Sequence, residues 1–300
     1  MTATVAAKVA SIGAHARQAI RDGAAGELAA VFERCCYVTL DGNWLCIGTP
    51  AIGRGPLHMI FQPRQAKWPR RRGAPACVQQ DLLRIDGIVL DLSRAAVWRP
   101  QMPSGWSRES LAYGLAALDA LVARGLPEDG LACLMRDAVV ARPAGLIAQA
   151  AQAPVLELQR LMRTDAREQA CAASARKATL LVPLLGLGPG LTPSGDDLLG
   201  GAMIALRAVG RTDLCAAIWD AIAVPAMSLT NDISRAHLAA AAGGAGCAAL
   251  HETLNAVMTG RVERIADGVR RLAAVGHTSG FDALAGAVIV LRAVPASGRD

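Results

Sequence analysis

The residues best suited to chemistry cluster in one stretch, Gly186-Leu-Gly-Pro-Gly-Leu-Thr-Pro-Ser-Gly-Asp-Asp-Leu-Leu-Gly-Gly201. Four glycines and two prolines fall within 186–195, between two apolar runs. Glycine reaches positive φ and allows close backbone approach, and successive N–H groups in such a turn form a nest for an anion. Gly188, Gly190 and Gly195 are the candidate anion contacts, with the Thr192 and Ser194 hydroxyls beside them. Ser194 is also the expected N-cap of the next helix, which places Asp196 and Asp197 in its positive first turn. A cap needs only one Ser or Asp. Four polar side chains in the most apolar part of the chain need further partners, a ligand or a metal. Asp196 and Asp197 are therefore candidate acid–base groups and candidate ligands for a divalent cation such as Mg²⁺. The stretch lacks the Gly-Lys-Ser/Thr of a P-loop, and its glycine spacing differs from the dinucleotide fingerprint.

A second segment, Gly276-His-Thr-Ser-Gly-Phe-Asp-Ala-Leu-Ala-Gly286, echoes the first without gaps from Ser194 onward. Ser194 aligns with Ser279, Gly195 with Gly280, Asp197 with Asp282 and Gly201 with Gly286. Two caps of similar chemistry arising independently would explain the echo. Two helix starts facing one site would explain it better, with Thr278, Ser279 and Gly280 as further contacts and Asp282 as a second catalytic carboxyl. His277 would then stand at the mouth as proton carrier or anion ligand. A third polar island, Ser228-Leu-Thr-Asn-Asp-Ile-Ser234, begins another helix and adds Thr230, Asn231 and Ser234 as candidates for the same site. His15, His58 and His251 have no such setting and read as ordinary core or surface histidines.

These segments need a scaffold, and the patterning supplies two kinds. Residues 5–33 have Ala, Ile and Leu at helical spacing. The runs 35–40 and 43–48 flank Asp41-Gly42-Asn43 and read as a hairpin. The runs 57–62, 82–87 and 88–92 read as further strands, and Pro100, Pro103 and Gly105 mark a boundary. After it the pattern is helical, with Ser107 as a first N-cap and further runs over 128–141, 144–152, 154–178, 196–209, 212–228, 232–242, 246–258, 260–274 and 281–293. The expected fold is α+β. An N-terminal helix plus β-rich region occupies 1–105, and a mainly helical domain carrying the glycine-rich motif occupies 106–300.

Composition narrows the function classes. Apolar residues make up 53% of the chain and aromatics 3%, so the core must be built from aliphatic side chains. The net charge is +6, but the only basic cluster is Arg64, Lys67, Arg70, Arg71 and Arg72. No nucleic-acid module surrounds it, which argues against that partner. The eight cysteines show no CxxC pair and no zinc spacing, as expected of free thiols in a reducing cytoplasm. Neither a signal peptide nor a membrane span is expected.

Taken in order, GLGPGLTPSGDDLLGG, SLTNDIS and GHTSGFDALAG resemble a bacterial family otherwise catalogued as a domain of unknown function. Its best-known members are AllH-type subunits of oxamate carbamoyltransferase in allantoin catabolism, a branch of purine degradation. The resemblance covers roughly 180–290. It implies a subunit of a multi-subunit transferase that interconverts oxalurate plus phosphate with oxamate plus carbamoyl phosphate. An FdrA-type subunit and a further large subunit are the implied partners. The glycine-rich turn suits phosphate, carbamoyl phosphate or a carboxylate. The sequence departs from the family's less polar pattern at Asn231-Asp232, which leaves the substrate open between oxamate/oxalurate and a related amide-carboxylate. Two other classes stay open: a non-catalytic assembly or ligand-sensing subunit, and a small-molecule kinase, against which the lack of a nearby lysine weighs.

Overall fold

The computed structural model describes residues 7–62, 68–69, 71–123, 125–135, 145–163 and 177–294. They form two compact units, divided between Pro100 and Gln101. The fold is α+β.

The first unit is a closed β-barrel. Its strands are β1 (Ala7–Gly13), β2 (Ala25–Val31), β3 (Cys35–Leu40), β4 (Asn43–Gly48), β5 (His58–Phe61), β6 (Pro75–Gln79), β7 (Leu82–Ile85), β8 (Ile88–Asp91) and β9 (Ala96–Trp98), with the short helix α1 (Ala14–Ala19) after β1. The neighbour order β5-β4-β3-β2-β6-β7-β8-β1 closes where β1 pairs with β5, and β9 adds to the later part of β1. Closure removes the exposed strand edges that an open sheet would leave. Three two-residue turns enter the left-handed region: Asp41-Gly42, Gln80-Asp81 and Asp86-Gly87. Such turns carry the twist that antiparallel neighbours need. Ile12, Leu28, Leu40, Leu45, Met59, Phe61, Leu83 and Leu90 fill the interior, and Trp68 stacks on Phe61 at 5.9 Å.

The helix expected over 5–33 is not formed. The chain there is β1, α1 and β2. Its alanines favour helix locally, but each strand finds backbone partners on both sides in the barrel, and that pairing overrides propensity. Close approach shows the fit. A methyl at Gly26 would lie 1.9 Å from the Thr39 carbonyl oxygen. Of the basic cluster, Arg64, Lys67 and Arg70 lie outside the described residues, and the Arg71 amide donates to Asp86.

The second unit is helical: α2 (Arg108–Val122), α3 (Leu146–Arg163), α4 (Ser194–Ala208), α5 (Thr212–Ala223), α6 (Ala226–Leu229), α7 (Asp232–Ala242), α8 (Ala248–Met258), α9 (Val262–Leu272) and α10 (Ser279–Arg292), with 3₁₀ turns at Ala132–Met135 and Thr179–Leu184. Ser107 caps α2 in a reciprocal box with Ser110. The runs expected over 144–152 and 154–178 are one helix through Pro154 as far as Arg163, and 164–176 lie outside the described residues. Of the run expected over 128–141, residues 128–131 are bends and turns instead of helix, 132–135 form the 3₁₀ turn, and 136–141 lie outside the described residues.

α4 and α10 form the centre of this unit and pack on one another more extensively than any other helix pair. Both are buried along almost their whole length. A methyl at Gly201 would lie 1.8 Å from the Ala283 carbonyl oxygen, and one at Gly286 would lie 1.9 Å from that of Leu198. These two contacts are equivalent under the alignment of the two segments, so α4 and α10 meet about a local pseudo-twofold axis. Gly200 is different, since its Cβ would meet only the Ala241 methyl at 3.6 Å. Gly201→Ala is expected to destabilise by about 3 kcal/mol or more, because backbone must move. Gly200→Ala should be neutral or stabilise by roughly 0.5–1 kcal/mol. Urea unfolding of the two variants checks this, and equal stabilities would contradict the backbone contact.

Candidate functional site

The equivalent contacts bring the N-termini of α4 and α10 to the same end of the unit. The glycine-rich turn lies over that end, with Gly186, Gly188 and Gly190 at φ of 69°, 106° and 103°. Pro189, Gly190 and Leu191 are exposed, whereas Ser194 and Asp196 are buried. Gly195 is required by packing. Its amide donates to Leu187 O at 2.9 Å, and a methyl there would lie 2.0 Å from Leu184 O. Gly280 repeats the arrangement against Leu272 O at 2.2 Å, with its amide on Val275 O. Both glycines thus serve helix entry and do not offer their amides to a ligand.

The four acidic and hydroxyl positions divide into two groups. Asp196 is a structural latch. Its Oδ1 accepts from the Gly186 amide at 2.8 Å, and its Oδ2 accepts from the Thr230 hydroxyl and from the Ser234 hydroxyl at 2.6 Å. Asn231 completes the latch. Its Nδ2 donates to Leu191 O at 2.8 Å, and its Oδ1 caps α7 by accepting the Ser234 amide. The third polar island is therefore gathered to the turn, but by protein hydrogen bonds that already satisfy it.

Asp197 and Asp282 behave otherwise. Asp282 is wholly buried, and its Oδ1 accepts the Leu131 amide at 2.6 Å. Its Oδ2, like that of Asp197, is buried without a hydrogen-bond partner. The hydroxyls pair crosswise: Ser279 of α10 lies against Asp197 of α4, and Ser194 of α4 against Asp282 of α10. Thr192 Oγ1 is 3.0 Å from Ser279 Oγ and joins the group. Burial pushes the Asp197 carboxyl well above the usual carboxylate range. The Ser279 hydroxyl pulls it partly back, and the charge on Asp282 adds to the rise. Burial also raises Asp282, against the pull of the Leu131 amide and of the Thr278 and Ser194 hydroxyls. Two bare carboxylates are thus disfavoured, and a proton or a cation must compensate them.

Three expectations need correction or refinement. Ser194 is not the N-cap of α4; Pro193 holds that position, and the Ser194 side chain turns inward toward Asp282. Gly188 sets this packing, since a methyl there would lie 3.1 Å from Ser194 Oγ. Thr278 is the N-cap of α10 and makes no side-chain cap bond. His277 is exposed and contacts the equally exposed Asp129 at 3.4 Å. Of the other histidines, His251 is buried and accepts the Gly246 amide on Nε2, with its pKa lowered to about 4 by burial. Sequence reasoning missed the Leu131 amide, brought in by the turn at Gly130, and missed Cys247. Burial first, and the Asp197 charge among lesser causes, raise the Cys247 thiol to about 11. Neither position carries a motif.

Residues 184–291 match the family model of the oxamate carbamoyltransferase subunit AllH. The AllH match opens at the last residue of the 3₁₀ turn before the glycine-rich segment and closes one residue before the end of α10. It therefore contains the latch, both helix starts and the crossing, and it shows the resemblance read from the three motifs. The barrel lies outside it. No curated protein and no solved structure matches the chain. Among the described residues, no helix is long and apolar enough to cross a membrane, and no group of three or more His, Cys, Asp and Glu is placed to hold a metal.

The latch makes a separate prediction. Asp196→Ala leaves one amide and two hydroxyls without their acceptor and should cost about 3 kcal/mol or more in chemical denaturation. A loss below about 1 kcal/mol would show that these donors do not depend on Asp196.

Proposed function

We propose that the chain is a subunit of a carbamoyltransferase acting on oxamate/oxalurate or a related small amide-carboxylate, with its ligand site at the shared start of α4 and α10. The observation that carries this reading is the crosswise Ser–Asp pairing at two converging helix starts, inside the stretch that matches AllH. Helix starts present free N–H groups and positive dipole ends, which suit an anion. The turn from Gly188 to Thr192, exposed at its tip, would receive phosphate or the phosphate of carbamoyl phosphate.

In the transfer from oxalurate, a phosphate oxygen forms a bond to the terminal carbamoyl carbon. The bond from that carbon to the oxamate nitrogen breaks. The proton that phosphate gives up is the one the leaving nitrogen needs, so no net proton is supplied by the protein. Its task is to position the reactants and to stabilise the charge on the carbamoyl oxygen as the carbon becomes tetrahedral. Thr192, Ser279 and the two carboxyls would orient the amide groups. His277, exposed two residues before Ser279, would serve at the rim. The family name is that of one subunit, so companion subunits, including an FdrA-type one, are expected to complete the activity. The latch around Asp196 fits a supporting role better than contact with substrate.

The test is carbamoyl phosphate formation from oxalurate and phosphate, measured for the chain alone and with its companion subunits. Turnover should require the companions, and Asp197→Asn or Asp282→Asn should lower it roughly 100-fold or more without unfolding the protein. Full turnover by both variants in the complete complex would overturn the assignment of the site.

A further inference from the structure

We propose that Asp197 and Asp282 together bind one divalent cation, Mg²⁺ or Mn²⁺, between the starts of α4 and α10. Three observations support it. First, the Oδ2 atoms of both residues are buried and lack hydrogen-bond partners, and Asp282 is wholly inaccessible. A buried carboxylate oxygen left without a partner is costly, so it marks a place where something else binds. Second, the neighbouring Asp196 shows what a carboxylate satisfied by protein looks like here, with three donors on its two oxygens. The same fold that completes Asp196 leaves one oxygen of each of the other two without a donor. Third, the surrounding donors are the Thr192, Ser194 and Ser279 hydroxyls, all neutral oxygens.

The donor chemistry selects the ion. Two carboxylates and hydroxyls are hard oxygen ligands, which suit Mg²⁺ or Mn²⁺. A dication would balance the two negative charges, which otherwise repel in a buried setting. Mg²⁺ is commonly held by one or two carboxylates and completes its shell with water and phosphate oxygens. The cation would therefore face the turn at Gly188–Thr192 and explain how an anion is accepted beside two carboxylates. This last link rests on the function proposed above; the binding of the cation itself does not.

The experiment is a Mn²⁺ titration of the full chain followed by electron paramagnetic resonance at about pH 8, where protons compete less with the cation for the carboxyls than at lower pH. Wild type should bind one Mn²⁺ per chain, displaceable by Mg²⁺. Asp197→Asn and Asp282→Asn should each weaken binding roughly tenfold or more, while Asp220→Asn, at an exposed position on α5, should change nothing. Absence of binding up to about 10 mM Mn²⁺, above the weakest ordinary oxygen-ligand sites, would overturn the proposal. So would undiminished binding by a double Asp197→Asn, Asp282→Asn variant. No turnover is read, so either result leaves the transferase assignment to its own test.

Discussion

Two helices can run side by side at backbone contact only where neither carries a side chain at the crossing, and Gly201 and Gly286 meet that condition reciprocally. The rest of the helical unit depends on this contact. It sets α4 and α10 in the same sense, with both N-termini at one end. It also brings Ser194 and Asp197 opposite Asp282 and Ser279. A wider crossing, such as one with alanine at both positions, would separate the two Ser–Asp pairs and remove the reason for their burial.

The arrangement has an electrostatic cost. Aligned helix dipoles repel when their positive ends meet, and first-turn aspartates offset this. Here the offset is larger than the dipoles require, because Asp196 also belongs to the first turn of α4. Asp196 spends its charge on three protein donors and fastens the glycine-rich turn to α7. Asp197 and Asp282 keep theirs for each other and for whatever compensates them. Consecutive residues thus differ: both oxygens of Asp196 are satisfied by protein donors, whereas the Oδ2 of Asp197, like that of Asp282, is not.

Much of this was legible in the sequence. Ser-Gly-x-Asp at 194–197 and again at 279–282 identified the paired helix starts, whereas the glycine one turn later in each was aligned without showing that the helices cross there. The Asp41-Gly42 turn identified a hairpin, since few other residues tolerate positive φ there. What was not legible depends on tertiary contacts. Residues 5–33 read as helix because alanine favours it, yet barrel closure through β1 decides their state. The echo singles out Asp197, which aligns with Asp282, but both Asp196 and Asp197 read as candidate site carboxyls. Their different roles follow from which neighbours the helix turns each toward, and from a Leu131 amide that arrives from a loop with no motif of its own.

The central claim is that Asp197 and Asp282 form one electrostatic unit. A double-mutant cycle on unfolding free energy, at neutral pH and without divalent cations, measures it most directly. Replacing either aspartate by asparagine relieves the same repulsion, so each single change should stabilise the protein. The double change should then gain less than the sum, by about 1 kcal/mol or more. Additivity within about 0.5 kcal/mol would show that the two carboxyls do not sense each other, and the account of a shared site would fail.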